Sequence, residues 1–256
     1  MTGRDEYYNR AKQEGYRTRS AYKIQQIDGD AGIFAPGNTV IDLGAAPGGW
    51  LQAAAEAVGP SGTVIGVDFQ RIRDLDSDIV ETIRGDMTDK STKETLRKQV
   101  GDADVDAVIS DMAPNMTGEY SVDHARSIHL ARQAFSVATD LLPAGGDFVV
   151  KVFDGRDLAD FRQDVETEFE YVKSTRPEAS RDTSSEQYLV GKHRVTAPVS
   201  KGDKLDATVV DIGSEGDGII KIDGYTLFVP DVDDGDSIRV RVTDLKSNVG
   251  FAEVIE

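Results

Sequence analysis

Residues 39–50 read TVIDLGAAPGGW, and this stretch decides the fold class. An apolar β-branched run leads directly into a glycine-rich turn, and the helical pattern WLQAAAEAV follows from residue 50. A strand, a glycine-rich turn and a helix in this order are typical of a doubly wound sheet, whose ligands bind at the carboxyl ends of the strands. The turn is not the dinucleotide fingerprint, because Ala46 stands where that motif needs its second glycine.

The remainder of the first 194 residues continues this alternation of short strands and longer helices. Further strand-like runs lie at residues 63–67, 105–110, 147–153, 170–175 and 186–192. Helical patterns separate them, at residues 92–100, 122–142 and 158–169. Interleaved strands and helices predict an α/β fold, with a mostly parallel Rossmann-like sheet covered by helices on both faces.

The pattern changes near residue 195. From about residue 198 the chain has five short strand-like runs separated by Gly or Asp turns, and IDGYTLFV (222–229) has the Asp-Gly signal of a hairpin. Several short strands in succession predict a small β-barrel. We therefore expect two domains, residues 1–194 and 195–256, with the linker at 193–201.

Composition excludes several classes of protein. The chain has 256 residues and no cysteine, which rules out disulfides, thiolate zinc sites and cysteine nucleophiles. Its three histidines are scattered, so no metal site is expected. No apolar run approaches the length of a membrane helix, and residues 1–17 lack the apolar centre of a signal peptide. We expect a cytoplasmic, membrane-free protein, and nothing in the sequence demands more than a monomer.

The net charge of −17 argues against a nucleic-acid partner only at low salt. Aspartate supplies 32 of the 46 acidic residues, and arginine 17 of the 29 basic ones. Short carboxylates spread over the whole chain are typical of proteins from salt-loving organisms, here a haloarchaeal-like composition. At about 1 M salt the Debye length is only about 3 Å, so net charge loses most of its long-range effect.

The motif D-L-G-x-x-P-G-G-W resembles the cofactor turn of S-adenosylmethionine-dependent methyltransferases. In that interpretation Gly48 lets the backbone approach the methionine part of the cofactor. Asp68 follows the second strand and could accept both ribose hydroxyls, Asp86 follows the third and could accept the adenine amino group, and Asp111 ends the fourth beside the methyl donor. Trp50 is either a cover for the cofactor or a core aromatic.

Residues 1 to about 194 resemble the FtsJ/RrmJ (RlmE) family of ribosomal RNA ribose 2′-O-methyltransferases. The segments that carry the resemblance are RTRSAYKIQQID, DLGAAPGGW, SDMAPN, GGDFVVKVF and SSEQYLV. The family uses a Lys-Asp-Lys-Glu tetrad, which matches Lys23, Asp111, Lys151 and Glu186. The resemblance also implies S-adenosyl-L-methionine as the cofactor, bound by Gly48, Trp50, Asp68, Asp86 and Asp111.

Lys151 has the chemistry that this reaction needs. A ribose hydroxyl is a weak nucleophile and must lose a proton as it attacks a methyl group. Lys151 lies within the apolar run DFVVKVF, and burial together with a nearby Lys23 is expected to lower its pKa and suit it to general-base catalysis. Asp111 and Glu186 are expected to orient the amines and the hydroxyl. The alternative for Lys151 is a structural salt bridge at a sheet edge.

RNA contacts are expected from two segments. Residues 1–27 carry a net charge of +3 with four interleaved tyrosines, and Arg17 and Arg19 lie among them. The loop 175–185 adds Arg176 and Arg181 just before the tetrad glutamate. Basic and aromatic residues together suit phosphate contact and base stacking. The alternative for Arg17 and Arg19 is an ordinary N-terminal helix.

The C-terminal segment EGDGIIKIDGYTLFVP resembles a TRAM domain, a small RNA-binding β-barrel. Its net charge of −7 over residues 200–256 does not favour simple electrostatic binding of RNA. The alternative is a barrel that only packs on the first domain.

The function we expect is methylation of a uridine ribose in 23S (large-subunit) ribosomal RNA, with that RNA or the large subunit as partner. A transfer RNA ribose methyltransferase and a non-catalytic ribosome assembly factor are the alternatives. A small-molecule methyltransferase fits less well, because it more often carries an apolar lid.

Overall fold

The computed structural model describes residues 3–101, 103–115, 117–181 and 184–255, with side chains from residue 6 onward. These residues form two sheets. The larger has seven strands, namely β1 (Thr39–Leu43), β2 (Thr63–Asp68), β3 (Val80–Arg84), β4 (Ala107–Ser110), β5 (Asp147–Phe153), β6 (Phe169–Thr175) and β7 (Glu186–Arg194). Their order is β3-β2-β1-β4-β5-β7-β6, and only β7 runs antiparallel to its neighbours.

Six helices flank the larger sheet in the described chain, namely α1 (Gly3–Glu14), α2 (Ala21–Ala31), α3 (Gly49–Val58), α4 (Lys90–Val100), α5 (Tyr120–Leu141) and α6 (Leu158–Glu168). The predicted α/β architecture, with a mostly parallel sheet between helices, is confirmed. No helix in the described part of the chain combines the length and the apolar character that crossing a bilayer requires.

Strand β5 shows how the sheet divides two apolar cores. Phe148, Val150 and Val152 face the core that contains α5 and α6, while Val149 faces the core that contains α2 and α3. Successive side chains of a strand point to opposite faces, so Lys151 lies on the α2 side in line with Val149. Each fully buried apolar side chain contributes about 1.5–3 kcal/mol to the stability of the fold. A lysine in such a strand lacks this contribution, which indicates a role other than packing.

The smaller sheet has six strands, namely β8 (Lys204–Thr208), β9 (Asp211–Ile212), β10 (Gly218–Ile222), β11 (Tyr225–Val229), β12 (Ser237–Leu245) and β13 (Val249–Val254). Their order is β8-β12-β13-β11-β10-β9. The edge strands β8 and β9 are consecutive in the chain, so the sheet curls until its two edges are joined by Val209 and Val210. The predicted small barrel is confirmed.

One predicted strand of the barrel is two strands in the structure. The run KLDATVVDIG bends at Val209 and Val210, so that β8 pairs with β12 and β9 pairs with β10. The Asp-Gly hairpin forms as expected, with φ of 46° at Asp223 and 88° at Gly224. These positive angles are what a two-residue hairpin turn requires.

Candidate active site

A cavity of about 380 Å³ lies at the carboxyl ends of β1, β2, β3 and β4. Its volume is within the usual range for small-molecule sites. The residues that line it include Gly44, Ala46, Asp68, Phe69, Gln70, Asp86, Met87, Asp111 and Met112. Three carboxylates and no lysine or arginine stand among these described lining residues, so the cavity suits a cationic ligand with hydroxyl and amino groups.

Two of the three cavity aspartates are fixed by local hydrogen bonds. Asp68 accepts from the backbone N–H groups of Ala46 (3.0 Å) and Gln70 (2.7 Å), which ties the turn after β1 to the loop after β2. Asp86 accepts from the backbone N–H and the hydroxyl of Thr88, both at 2.8 Å, and these two bonds lower the pKa of Asp86.

Asp42 is a carboxylate that the sequence analysis did not single out. It is 1 % exposed, and neither of its oxygens has a hydrogen-bond partner within the described residues. Burial raises its pKa well above the ordinary value, and the neighbouring carboxylates Asp111 and Asp68 raise it further. The raised pKa favours the neutral, protonated form of Asp42. The available signal was an aspartate inside the apolar run TVIDL.

The four predicted catalytic residues lie together in one buried network. Lys151 Nζ lies 2.9 Å from Asp111 Oδ1, and Lys23 Nζ lies 2.5 Å from Glu186 Oε1. The Tyr188 hydroxyl joins the two pairs, because it donates to Asp111 Oδ1 (2.7 Å) and accepts from Lys23 Nζ (3.2 Å). Lys151 Nζ also donates to the backbone carbonyl of Asp111. The four residues that the resemblance implied are therefore close together in the structure.

The network pairs two lysines with two carboxylates. Burial opposes the ionisation of Asp111, but Lys151, Lys23 and the Tyr188 hydroxyl outweigh it, so the pKa of Asp111 lies below its ordinary value. Burial raises the pKa of Tyr188 well above its ordinary value, and the charges of Asp111 and Glu186 raise it further. The network therefore holds an ionised aspartate beside a neutral phenol.

Tyr188 is a second site residue that the sequence analysis missed. It is fully buried, it pairs across the antiparallel strands with Lys151, and its ring lies 5.8 Å from that of Trp50. The only available signal was its place within SSEQYLV, two residues after the predicted glutamate. Phe69, which is 67 % exposed and lines the cavity, was also missed.

Gly48 and Trp50 do not line the cavity, unlike the other three residues predicted to hold the cofactor. Gly48 lies in the turn before α3 with φ of 110°, a conformation that favours glycine. The Trp50 indole is 3 % exposed and donates through Nε1 to the backbone carbonyl of Ser20 (2.8 Å). The Trp50 side chain is therefore a core aromatic, which is the second of the two alternatives.

The four arginines predicted to face RNA have different surroundings. Arg17 donates to three backbone carbonyls near the cavity, and Arg19 donates to the carbonyl of Ala179 (2.8 Å). Arg176 donates to the carbonyls of Ser184 (2.6 Å) and Arg181 (3.1 Å), which braces the loop before β7. Arg181 is exposed, and residues 182 and 183 of that predicted RNA-binding loop lie outside the described part of the chain.

Two family models match consecutive parts of this chain. The model of the FtsJ-like methyltransferase family matches residues 16–194, and that of the TRAM domain matches residues 198–255. A solved structure described as a ribosomal RNA methyltransferase from Plasmodium falciparum shares the fold, with a TM-score of 0.62 at 24 % identity over 70 % of this chain and 98 % of that one.

Curated relatives match over nearly the whole length. A protein of Haloquadratum walsbyi named ribosomal RNA large subunit methyltransferase E is 88 % identical over the full length of both chains. Proteins of the same name from Haloarcula marismortui and Methanosarcina mazei are 61 % and 45 % identical, covering 100 % and 93 % of those proteins and 100 % and 99 % of this chain. The haloarchaeal-like composition agrees with the source of the first two of these relatives. The chain belongs to the FtsJ-like methyltransferase family and carries a C-terminal TRAM domain.

Proposed function

We propose that this protein transfers a methyl group from S-adenosyl-L-methionine to the 2′-hydroxyl of a uridine ribose in 23S ribosomal RNA. The observation that carries the proposal is the buried network of Lys151, Asp111, Tyr188, Lys23 and Glu186 beside an acidic cavity. The relatives named for the large ribosomal subunit support the RNA class.

The cavity residues fit the cofactor that methyltransferases use in general. Asp68 would accept the ribose hydroxyls, Asp86 the adenine amino group, and Asp111 would lie nearest the reacting end. Gly48 and Trp50, at the start of α3, would contribute through their backbone. When bound, S-adenosylmethionine supplies an electrophilic methyl group on a positively charged sulfur, and the carboxylates of this cavity favour such a charge.

Lys151 is the general base in this proposal. In its neutral form, after its own proton has passed to solvent, the amine accepts the proton of the 2′-hydroxyl as the oxygen attacks the methyl group. Asp111 holds that amine through its side chain and its backbone carbonyl. The Tyr188 hydroxyl donates to the same oxygen of Asp111, and Lys23, held by Glu186, donates to that hydroxyl. An arginine in place of Lys151 would keep the positive charge and would not deprotonate.

RNA would be held outside this network. Arg181 at the exposed loop before β7 and the braced Arg176 would contact the phosphate backbone near Glu186, with Arg19 on the segment before α2. We place the domain boundary between residues 194 and 195 and assign the acidic TRAM domain to RNA recognition through shape, stacking and hydrogen bonds. Phosphate contacts weaken steeply with salt, so shape, stacking and hydrogen bonds supply a larger share of the RNA affinity in concentrated salt.

The test is methylation of large ribosomal subunits from cells that lack this protein, with labelled cofactor, in concentrated KCl. We expect one labelled uridine ribose, and Lys151→Ala should remove the label while cofactor binding persists, although Asp111 loses its buried partner and the melting temperature falls. Labelling of transfer RNA alone would support the transfer RNA alternative. Cofactor binding with no label on any RNA would support the assembly factor.

A further inference from the structure

The Arg17 side chain fastens two of the loops that form the cavity. Its Nη1 donates to the backbone carbonyls of Pro47 (2.9 Å) and Arg73 (2.6 Å), and its Nη2 donates to that of Asp74 (2.6 Å). Pro47 belongs to the turn after β1, and residues 73 and 74 belong to the loop after β2. The planar fork of a guanidinium can serve three acceptors in fixed directions, which a point-like ammonium does not.

Both loops contribute to the cavity wall. Ala46 lines the cavity from the turn after β1, and Phe69 and Gln70 line it from the loop after β2. A Cβ atom added at Gly48 would lie 3.0 Å from Arg17 Nη1, so the guanidinium packs directly against the turn. Asp68 joins the same two loops from the cavity side. The loops are therefore held from both sides, by a carboxylate within the cavity and by a guanidinium behind it.

The segment that carries Arg17 also leads to the catalytic network. The backbone N–H of Arg17 donates to Gln52 Oε1 (2.8 Å) on α3, and the carbonyl of Ser20 accepts from Trp50 Nε1 (2.8 Å) on the same helix. Helix α2 begins at Ala21, immediately after this segment, and carries Lys23 two residues later. The position of Lys23 and the shape of the cavity thus depend on one short stretch of chain.

We propose that Arg17 is a positioning residue for the cofactor cavity and not an RNA contact. The proposal rests on the proposed function for the identity of the ligand, S-adenosylmethionine. Its guanidinium acts through the backbone of the two loops, because all three of its side-chain bonds go to backbone carbonyls. This replaces the expectation that Arg17 belongs to the RNA-facing rim.

The experiment compares the full-length protein with Arg17→Ala and Arg17→Lys. Calorimetric titration with S-adenosylmethionine should show a Kd at least about tenfold higher for Arg17→Ala, since this variant cannot make the hydrogen bonds of a charged group. Arg17→Lys should recover only part of the affinity, because one ammonium cannot span three carbonyls. The Kd for a fragment of ribosomal RNA, measured by fluorescence anisotropy, should stay within about twofold, because Arg17 binds no phosphate in this proposal.

A second readout needs neither cofactor nor activity. Arg71 and Arg73 are exposed trypsin sites in the loop that Arg17 holds. Trypsin should cut there several times faster in Arg17→Lys than in the parent protein, because a released loop opens more often. Arg162→Ala is the matched control, because this arginine lies on the distant helix α6 and also donates to a backbone carbonyl, that of Val172 in β6. It should change neither the cofactor Kd nor cleavage at the loop.

Two results would overturn the proposal. One is an unchanged cofactor Kd and an unchanged cleavage rate in both Arg17 variants. The other is a raised RNA Kd with an unchanged cofactor Kd, which would return Arg17 to the RNA-facing rim. Should Arg17→Ala not fold, Arg17→Lys carries both measurements. Failure of the parent protein to bind the cofactor would count against the proposed function, while the cleavage comparison would still test the contact of Arg17 with the loop.

Discussion

The two domains place their charged side chains in opposite ways. In its described residues the FtsJ-like domain buries seven lysine and carboxylate side chains, namely Lys23, Asp42, Asp68, Asp123, Asp147, Lys151 and Glu186. The described residues of the TRAM domain bury none, and its core is apolar. The barrel keeps its ion pairs at the surface, as with Arg241 and Glu253, whose side chains are about half exposed.

The burial of an ion pair decides how much its loss costs in stability. Removing one partner of a buried ion pair costs about 3–5 kcal/mol, because the other charge is left without compensation. An exposed pair contributes about 0–1 kcal/mol. Buried charges are therefore expected where the reaction needs them, and the barrel can carry its acidic surface at little cost to its fold. Equivalent substitutions in the two domains should have very different effects.

The largest effect should come from Lys151→Arg. The variant keeps a cation beside Asp111 but removes the group that can accept a proton, so the methylation rate should fall about a hundred- to ten-thousandfold. Lys201→Arg, at an exposed pair with Asp244 in the second domain, is the matched control and should leave the rate unchanged. Single-turnover kinetics with labelled cofactor measures both. A fully active Lys151→Arg would exclude Lys151 as the base.

Tyr188→Phe should have the next largest effect. It removes the hydroxyl that joins Asp111 to Lys23, so the methylation rate should fall about tenfold or more while a buried carboxylate loses a donor worth about 1–3 kcal/mol. Tyr225→Phe is the counterpart in the barrel, where the single hydroxyl proton is shared between the backbone carbonyls of Lys246 and Val249. It should lower the melting temperature of the protein without slowing a single turnover.

Asp42→Asn tests the orphaned acid through pH. The folded-state pKa of Asp42 is raised, so its proton is retained on folding, and the stability of the parent protein falls as the pH rises from the unfolded pKa toward the folded one. Asp42→Asn does not titrate. It should therefore melt a few degrees higher than the parent at pH 8, with a gain that shrinks toward pH 4. A gain that grew on acidification would contradict the raised pKa.

The smallest effect belongs to the barrel surface. Arg241→Ala breaks the exposed pair with Glu253 (3.4 Å) and should change the free energy of unfolding by less than about 1 kcal/mol, with a still smaller effect in concentrated salt. Chemical denaturation at low and high KCl measures this. A change as large as that of Tyr188→Phe would mean that the two domains do not differ in the way described.

The sequence predicted the elements that depend on local pattern. The bounds of β1 and β5 agree with the apolar runs TVIDL and DFVVKVF, because a buried parallel strand is apolar on both faces. The tetrad could be named because the resemblance ties each residue to a motif, on α2 for Lys23, after β4 for Asp111, in β5 for Lys151 and at the start of β7 for Glu186. The bend between β8 and β9 could not be predicted from KLDATVVDIG, since it is set by which strands pair on either side.

The remaining site residues depend on partners far away in the chain. Tyr188 meets Lys151 only through the antiparallel register of β5 and β7. The role of Arg17 depends on backbone carbonyls more than 25 residues away. Every residue has such a carbonyl, so the sequence does not show which of them will accept a hydrogen bond. A basic residue near tyrosines indicates a surface arginine equally well, and only the geometry distinguishes the two.

Strand β7 has a consequence for the shape of the substrate. It begins with Glu186, in the catalytic network, and ends at Arg194, from which the chain continues toward the TRAM domain. Nine extended residues span roughly 25–30 Å. The connection to the TRAM domain therefore leaves the sheet at the end opposite to the catalytic network. A nucleic acid that reached both places would have to bridge that span. Folded RNA does this easily, and an isolated nucleoside cannot.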